Sequence, residues 1–258
     1  MRAVELQFFT MARQVTVDPT AGHPSRVALV LAVAAAVSAL VSLRSVAQEA
    51  DPQLALFFRG YLDERFQLEP LTATQLGEHR FDDRLEDLSA ASRAAWVAHT
   101  RVTLQALPQK VDFSRLSRAG QIDFEIFRHD LEKRVWLTEN TRPFEEDPRV
   151  YGDYISDSVY SLLVQSTLPK ETNLTNTIAR LRRIPAVIEV AQQTLRNPPK
   201  TILETAIRQN RGAIGLYEFG LFELAGETPQ LAALRAASAP VAAKLRTYQQ
   251  FLEGELMG

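Results

Sequence analysis

An all-α fold, a proline-punctuated array or bundle of about seven to nine helices, follows from three observations. Apolar residues recur at three-to-four spacing through most of the chain after residue 50. No segment alternates convincingly with period two, the pattern a half-buried strand would show. Most of the 13 prolines fall at the ends of the periodic runs or inside them as bends, and 11 glycines are too few for a turn-rich all-β chain. At 258 residues the chain forms one large domain or two small ones and can bury a sizeable core.

Asp51-Pro52 reads as an N-cap followed by proline at the first helical position. Leu54, Phe57, Phe58, Tyr61, Leu62 and Phe66 then mark the apolar face of a helix that stops near Glu69-Pro70. A helical turn over 72–78 leads to a polar loop, and Ser89 caps a helix running to about Leu107. The next helix begins at Ser117 or Arg118, with Phe124, Phe127, Leu131 and Val135 on one face. From about Arg149 to Thr167, Tyr151, Tyr154, Ile155, Val159 and Leu162 form a broad apolar face that ends at Leu168-Pro169. Leu174, Ile178 and Leu181 mark another helix, which kinks or restarts at Pro185 because proline lacks the backbone donor. Asn197-Pro198-Pro199 is a stop, the pattern resumes over 200–225, and Gly226 closes it. Thr228-Pro229 opens a last helix that meets Pro240 in mid-course.

Upstream, Val27 to Leu43 is an uncharged apolar run between Arg26 and Arg44, with small residues at Ser45 and Ala47 where a signal peptidase would cut. Residues 1–47 therefore read as a signal peptide and 48–258 as an exported helical domain, periplasmic or extracellular. The alternative is an uncleaved membrane anchor over 27–43, short against the roughly 20 residues a span needs. The acids Glu5 and Asp18 are unusual in such a leader, and Met11 is an alternative start. Removing the leader takes away more arginine than acid, which leaves the remainder mildly acidic. With 29 basic and 31 acidic residues and no dense basic stripe, the chain has no electrostatic footprint for nucleic acid. It has no cysteine, so disulfides, thiolate metal sites, a cysteine nucleophile and a lipidated cysteine are all excluded for this chain.

Two blocks carry a family look. Glu69-Pro70, Ala73-Thr74, Leu76-Gly77, His79 and Phe81-Asp82-Asp83-Arg84-Leu85 resemble the N-terminal signature of the bacterial family catalogued as domain of unknown function 885. Arg180-Leu181, Ile184-Pro185, Ala191, Leu195, Pro198-Pro199 and Ala206-Ile207 are similar to its middle region, and Asp147-Pro148 with Tyr151 to its acidic, tyrosine-bearing helix start. The resemblance covers about residue 53 to the end. It implies an exported helical protein like the N-terminal half of a channel-shaped zinc peptidase, whose His-Glu pair and Pro-Gly-His-His lie further along. Neither motif occurs here, and the four histidines, 23, 79, 99 and 129, are scattered. The expectation is thus a truncated scaffold with no catalytic residue, metal ligand or cofactor of its own. Zinc is expected only in the full-length family, and the partners implied are a peptide substrate or the missing C-terminal half. A stand-alone helical binding or interaction protein built on the same scaffold is the alternative.

The remaining polar clusters each have two readings. His79, Asp82, Asp83 and Arg84 form a substrate-facing or ion-binding loop, or are ordinary turn residues that anchor the loop to neighbouring helices. Tyr151, Tyr154 and Tyr160 line a peptide groove or belong to the core. Glu125 and His129 are four apart, a metal-compatible spacing with no second pair. Arg180, Arg182 and Arg183 hold a carboxylate or simply complement a helix C-terminus. If a missing half covers one face, Phe219, Phe222, Leu245 and Phe251 should form an exposed apolar patch.

Overall fold

A computed structural model describes residues 51–257, all within the compact unit Glu49–Gly258. The leader, with its signal-peptide and anchor readings, lies outside the described residues. Every regular element described is helical and none is a strand. Helix α1 covers 51–68, followed by α2 (Pro70–Gln75), α3 (Ala90–Lys110), α4 (Arg118–Asn140) and the short α5 (Pro143–Glu146). Then come α6 (Arg149–Tyr160), α7 (Lys170–Leu181), α8 (Ile184–Thr194), α9 (Lys200–Gly215), the short α10 (Leu221–Ala225) and α11 (Leu231–Phe251). Three π turns, Ser161–Gln165, Leu216–Gly220 and Leu252–Leu256, continue α6, α9 and α11.

Local chemistry explains most boundaries. Ser89 and Ser117 cap α3 and α4 by accepting from the backbone N–H of Ser92 and Gly120. Helix α2 starts at Pro70, two residues before the expected turn, because proline is suited to a first helical position. Helix α3 continues past Leu107 with Pro108 in its last turn. At Pro185 the chain restarts: α7 ends at Leu181 and α8 begins at Ile184. Helix α11 begins at Leu231, two residues after Thr228-Pro229, and carries Pro240 inside it. Asp51 departs from its expected role. Residue 51 is already helical, and its carboxylate accepts from the Ser117 backbone N–H (3.0 Å) and the Ser117 hydroxyl, so it supports the start of α4. Gly120 allows this approach, since a Cβ there would collide with the Asp51 carboxylate.

Two apolar cores result. The main one draws on α6 to α11 and includes Tyr151, Ile155, Leu174, Leu181, Ile188 and Leu245. Several polar groups inside it are paired across elements: Tyr217 donates to the Ile155 carbonyl (2.5 Å), Ser238 to the Tyr217 carbonyl (2.6 Å) and Asn210 to the Leu245 carbonyl (3.1 Å), while the Thr177 and Tyr248 hydroxyls are buried without a partner. The smaller core joins α1, α3 and α4 through Leu54, Leu107, Val111, Leu116 and Phe124, with Phe57, Phe58 and Phe127 packed against it. The expected C-terminal patch is broken up. Phe219 is exposed, Phe222 and Phe251 are half-buried, and Leu245 is fully buried because its position on α11 faces the main core.

Candidate functional site

The residues between α2 and α3 turn their charges inward. Arg180, on α7 and completely buried, is the hub. Its Nη1 donates to the Ser158 carbonyl on α6 (2.9 Å) and its Nη2 to the Thr74 hydroxyl on α2 (2.5 Å). Thr74 passes the interaction on, donating to Asp82 Oδ1 at 2.5 Å, and Asp82 Oδ1 lies 3.9 Å from Arg180 Nη2. Asp82 Oδ2 takes a hydrogen bond from His79 Nδ1 at 2.8 Å, which places the imidazole proton on that nitrogen.

Glu86 is the second buried carboxyl of the cluster. Its Oε1 accepts from the Leu71 backbone N–H (2.9 Å), while Oε2 and Arg180 Nε are buried without a partner. Burial pushes the Glu86 carboxyl up to about 7, against the opposing pull of backbone N–H groups and Arg180. Burial also lowers the Arg180 guanidinium to about 10, with Asp82, Glu86 and Asp83 working the other way. One guanidinium thus shares a low-dielectric interior with two buried carboxyls, Asp82 at 3.9 Å and Glu86, whose affinity for its proton is raised there. Tyr154, half-buried on α6, has its phenol raised first by burial and then by the charges of Glu86 and Glu69.

The structure divides the residues picked out from the sequence. His79 and Asp82 come together at the cluster, with Tyr154 close to its Glu86 side. Asp83 and Arg84 are exposed, 3.8 Å apart, and the Arg84 guanidinium lies over the Phe81 ring. Tyr151 is fully buried and donates to the Phe144 carbonyl (2.9 Å), so its hydroxyl fastens α6 to α5. Tyr160 is exposed. Glu125 pairs with Arg128 at 2.5 Å on the surface of α4. Arg182 and Arg183 are exposed and separate from Arg180. Thr74 and Glu86 carry no site signal in the sequence: both lie in the family block, but Thr74 meets Arg180 from 106 residues away and Glu86 meets the Leu71 N–H from 15, and no local pattern marks such contacts.

This arrangement locks α2 and its loop onto α6 and α7. It does not suit zinc. His79 and Asp82 are the nearest pair of ligand types, but the Asp82 carboxylate is already engaged by Thr74 and lies beside the Arg180 cation, which would repel a divalent ion. Among the described residues no group of three or more His, Cys, Asp or Glu could hold a metal ion. No described helix is long and apolar enough to cross a membrane. Away from the cluster, a cleft of about 320 Å³ opens between α6, α9 and α11, with Arg149, Asp153, Asn210 and Tyr248 among its lining residues.

Comparison with known proteins gives this architecture a family. Residues 70–258 match the profile described as bacterial protein of unknown function (DUF885). No curated protein matches the chain. Among solved structures, the chain is similar to a "putative lipoprotein of unknown function" from Shewanella oneidensis, with a TM-score of 0.71 at 21% identity. The likeness covers 79% of this chain and 38% of that one, so the chain spans well under half of the longer protein's length.

Proposed function

The chain belongs to the DUF885 family of bacterial proteins, and from that premise we propose that its helical domain is the N-terminal scaffold of an exported, metallopeptidase-like protein, one wall of a substrate channel. In this reading the domain positions and encloses, and the zinc-dependent chemistry belongs to a C-terminal half of the family architecture. The observation that carries the proposal is the inward-facing cluster. The family block Glu69–Ser89 spends its buried charges on Arg180, Thr74 and backbone groups, which fixes a helix and loop against α6 and α7 instead of offering those charges to a substrate. The likeness to part of a longer chain supports the same reading.

The test is peptide cleavage. Residues 48–258, supplied with zinc and a peptide library, should show no chelator-sensitive hydrolysis. Fusing them to the C-terminal portion of a longer family member should produce it. Robust chelator-sensitive cleavage by residues 48–258 alone defeats the proposal. A second reading, a stand-alone helical binding module, draws on the cleft between α6, α9 and α11, whose 320 Å³ would admit a small ligand. Isothermal titration with short apolar peptides separates the two: saturable binding without any gain of activity on fusion favours the module.

A further inference from the structure

The outer face of α1 and α3 carries a groove of about 510 Å³, and its residues have a two-ended character. Leu56, Phe57, Gly60, Val102 and Ala106 give it a largely apolar or small lining, interrupted by Gln53, Tyr61 and Thr103. Leu56 and Val102, which both line the groove, are each 62% exposed, a high value for aliphatic side chains. One end is acidic. There Glu64, itself 60% exposed, meets His99 Nε2 at 2.5 Å. The other end is basic, where Lys110 Nζ lies 5.9 Å from the centre of the Phe57 ring. The two helices run in opposite directions along the groove, because Glu64 on α1 lies beside His99 on α3 while the earlier Phe57 lies beside the later Lys110.

From this layout we infer that the α1/α3 groove is a homodimer interface: a second copy of the chain packs across it about a two-fold axis near Gly60, with Lys110 of each copy meeting Glu64 of the other. Three features support it. A two-fold pairing requires a surface that complements itself, and a groove acidic at one end and basic at the other does so only when the copies run antiparallel. Gly60 lies midway between Phe57 and Glu64, which are about 10 Å apart along the helix axis. It is exposed, with nothing within 4 Å of where a Cβ would be, so two α1 helices can approach closely at that point. Leu56 and Val102 flank it and would be removed from water by the partner. In this arrangement apolar burial supplies the affinity and the exposed charges set the register. The inference does not depend on the scaffold reading of the domain.

The absence of cysteine makes the test direct, since a single introduced cysteine can form a disulfide only between copies. The full chain carrying Gly60→Cys should cross-link to a covalent dimer under mild oxidation, because the geometry brings the paired Cα atoms within about 7 Å. Arg208→Cys, an exposed position on α9, should not. Adding Glu64→Lys or Lys110→Glu to Gly60→Cys should each reduce the cross-linked fraction several-fold, with the helical circular dichroism unchanged. Co-expressing the two charge variants should restore it, since every pair is then opposite in sign. Cross-linking no greater than that of Arg208→Cys, charge variants without effect, or no recovery on co-expression each overturns the inference.

Discussion

The two cores of this molecule are built differently. The main one, under α6 to α11, is largely aliphatic and deeply buried, and several of its polar groups find partners on other elements, as Tyr217 does with Ile155 and Arg180 with Ser158 and Thr74, while the Thr177 and Tyr248 hydroxyls have none. The outer one, between α1, α3 and α4, is aromatic and one-sided. Tyr61 packs edge-on to Phe127 at 4.9 Å and Trp96 stacks on His99 at 5.0 Å, while Leu56, Val102, Ile126 and Trp136 remain exposed. Its cross-helix polar contacts are mostly surface ion pairs, such as Arg101 with Glu139. The difference teaches where the domain stores stability and where it offers surface. A region that keeps exposed apolar residues on its helices opens at lower free energy than one whose apolar residues are mostly buried.

Arg180→Leu leaves Asp82 as a buried carboxylate without its cation and frees α2 from α7. We expect a loss of about 3–5 kcal/mol in urea unfolding, partly recovered by adding Asp82→Asn. A loss no greater than that of a surface substitution would show that the cluster does not hold the closed region together. Glu86 gives the next effect. Its folded-state pKa, about 7, lies above the ordinary value of 4.5, so the folded chain binds that proton more tightly than the unfolded one. The associated stability is fully present below about pH 4.5 and is lost as pH rises through 7, up to about 3 kcal/mol in all. Glu86→Gln should flatten this part of the stability profile, equalling the parent at pH 5 and exceeding it at pH 8. A profile left unchanged between those values would remove Glu86 from the account.

Smaller effects belong to the outer core. Gly120→Ala would ordinarily gain up to about 1 kcal/mol in a helix interior. Here the added methyl group displaces the Asp51 carboxylate from Ser117, and we expect a net loss of about 1 kcal/mol by thermal unfolding. Stabilisation would mean that Asp51 contributes nothing to the start of α4. Arg101→Ala removes one exposed ion pair, half of it in solvent, and should cost less than about 0.5 kcal/mol, the least of the four.

The extent to which sequence reasoning reached the candidate site is clear from particular residues. His79 and Asp82 stand out because a histidine and an acid three apart in a polar loop suggest a local interaction, and they do form one. Arg180 stands out as part of the family's middle block and of a basic run whose other members, Arg182 and Arg183, face solvent, and neither signal marks it as buried. Tyr151 is marked as apolar by its helical spacing, which says it is buried but not that its hydroxyl binds the Phe144 carbonyl. Glu86, between Leu85 and Asp87, gives no sign of burial in its local context.

What the sequence alone determined is whatever one or two helical turns can encode: the all-α class, the cap at Ser89, and the breaks at Pro169, Pro185 and Pro199. Backbone hydrogen bonding and apolar periodicity are local, so they can be read from neighbours within about four positions. Only the tertiary structure decided which charges share a low-dielectric interior and which end of a groove is acidic, because those depend on residues brought together from distant parts of the chain. Asp51 illustrates both. Its sequence context suits a cap for its own helix, and packing instead turned its carboxylate to Ser117, 66 residues further on.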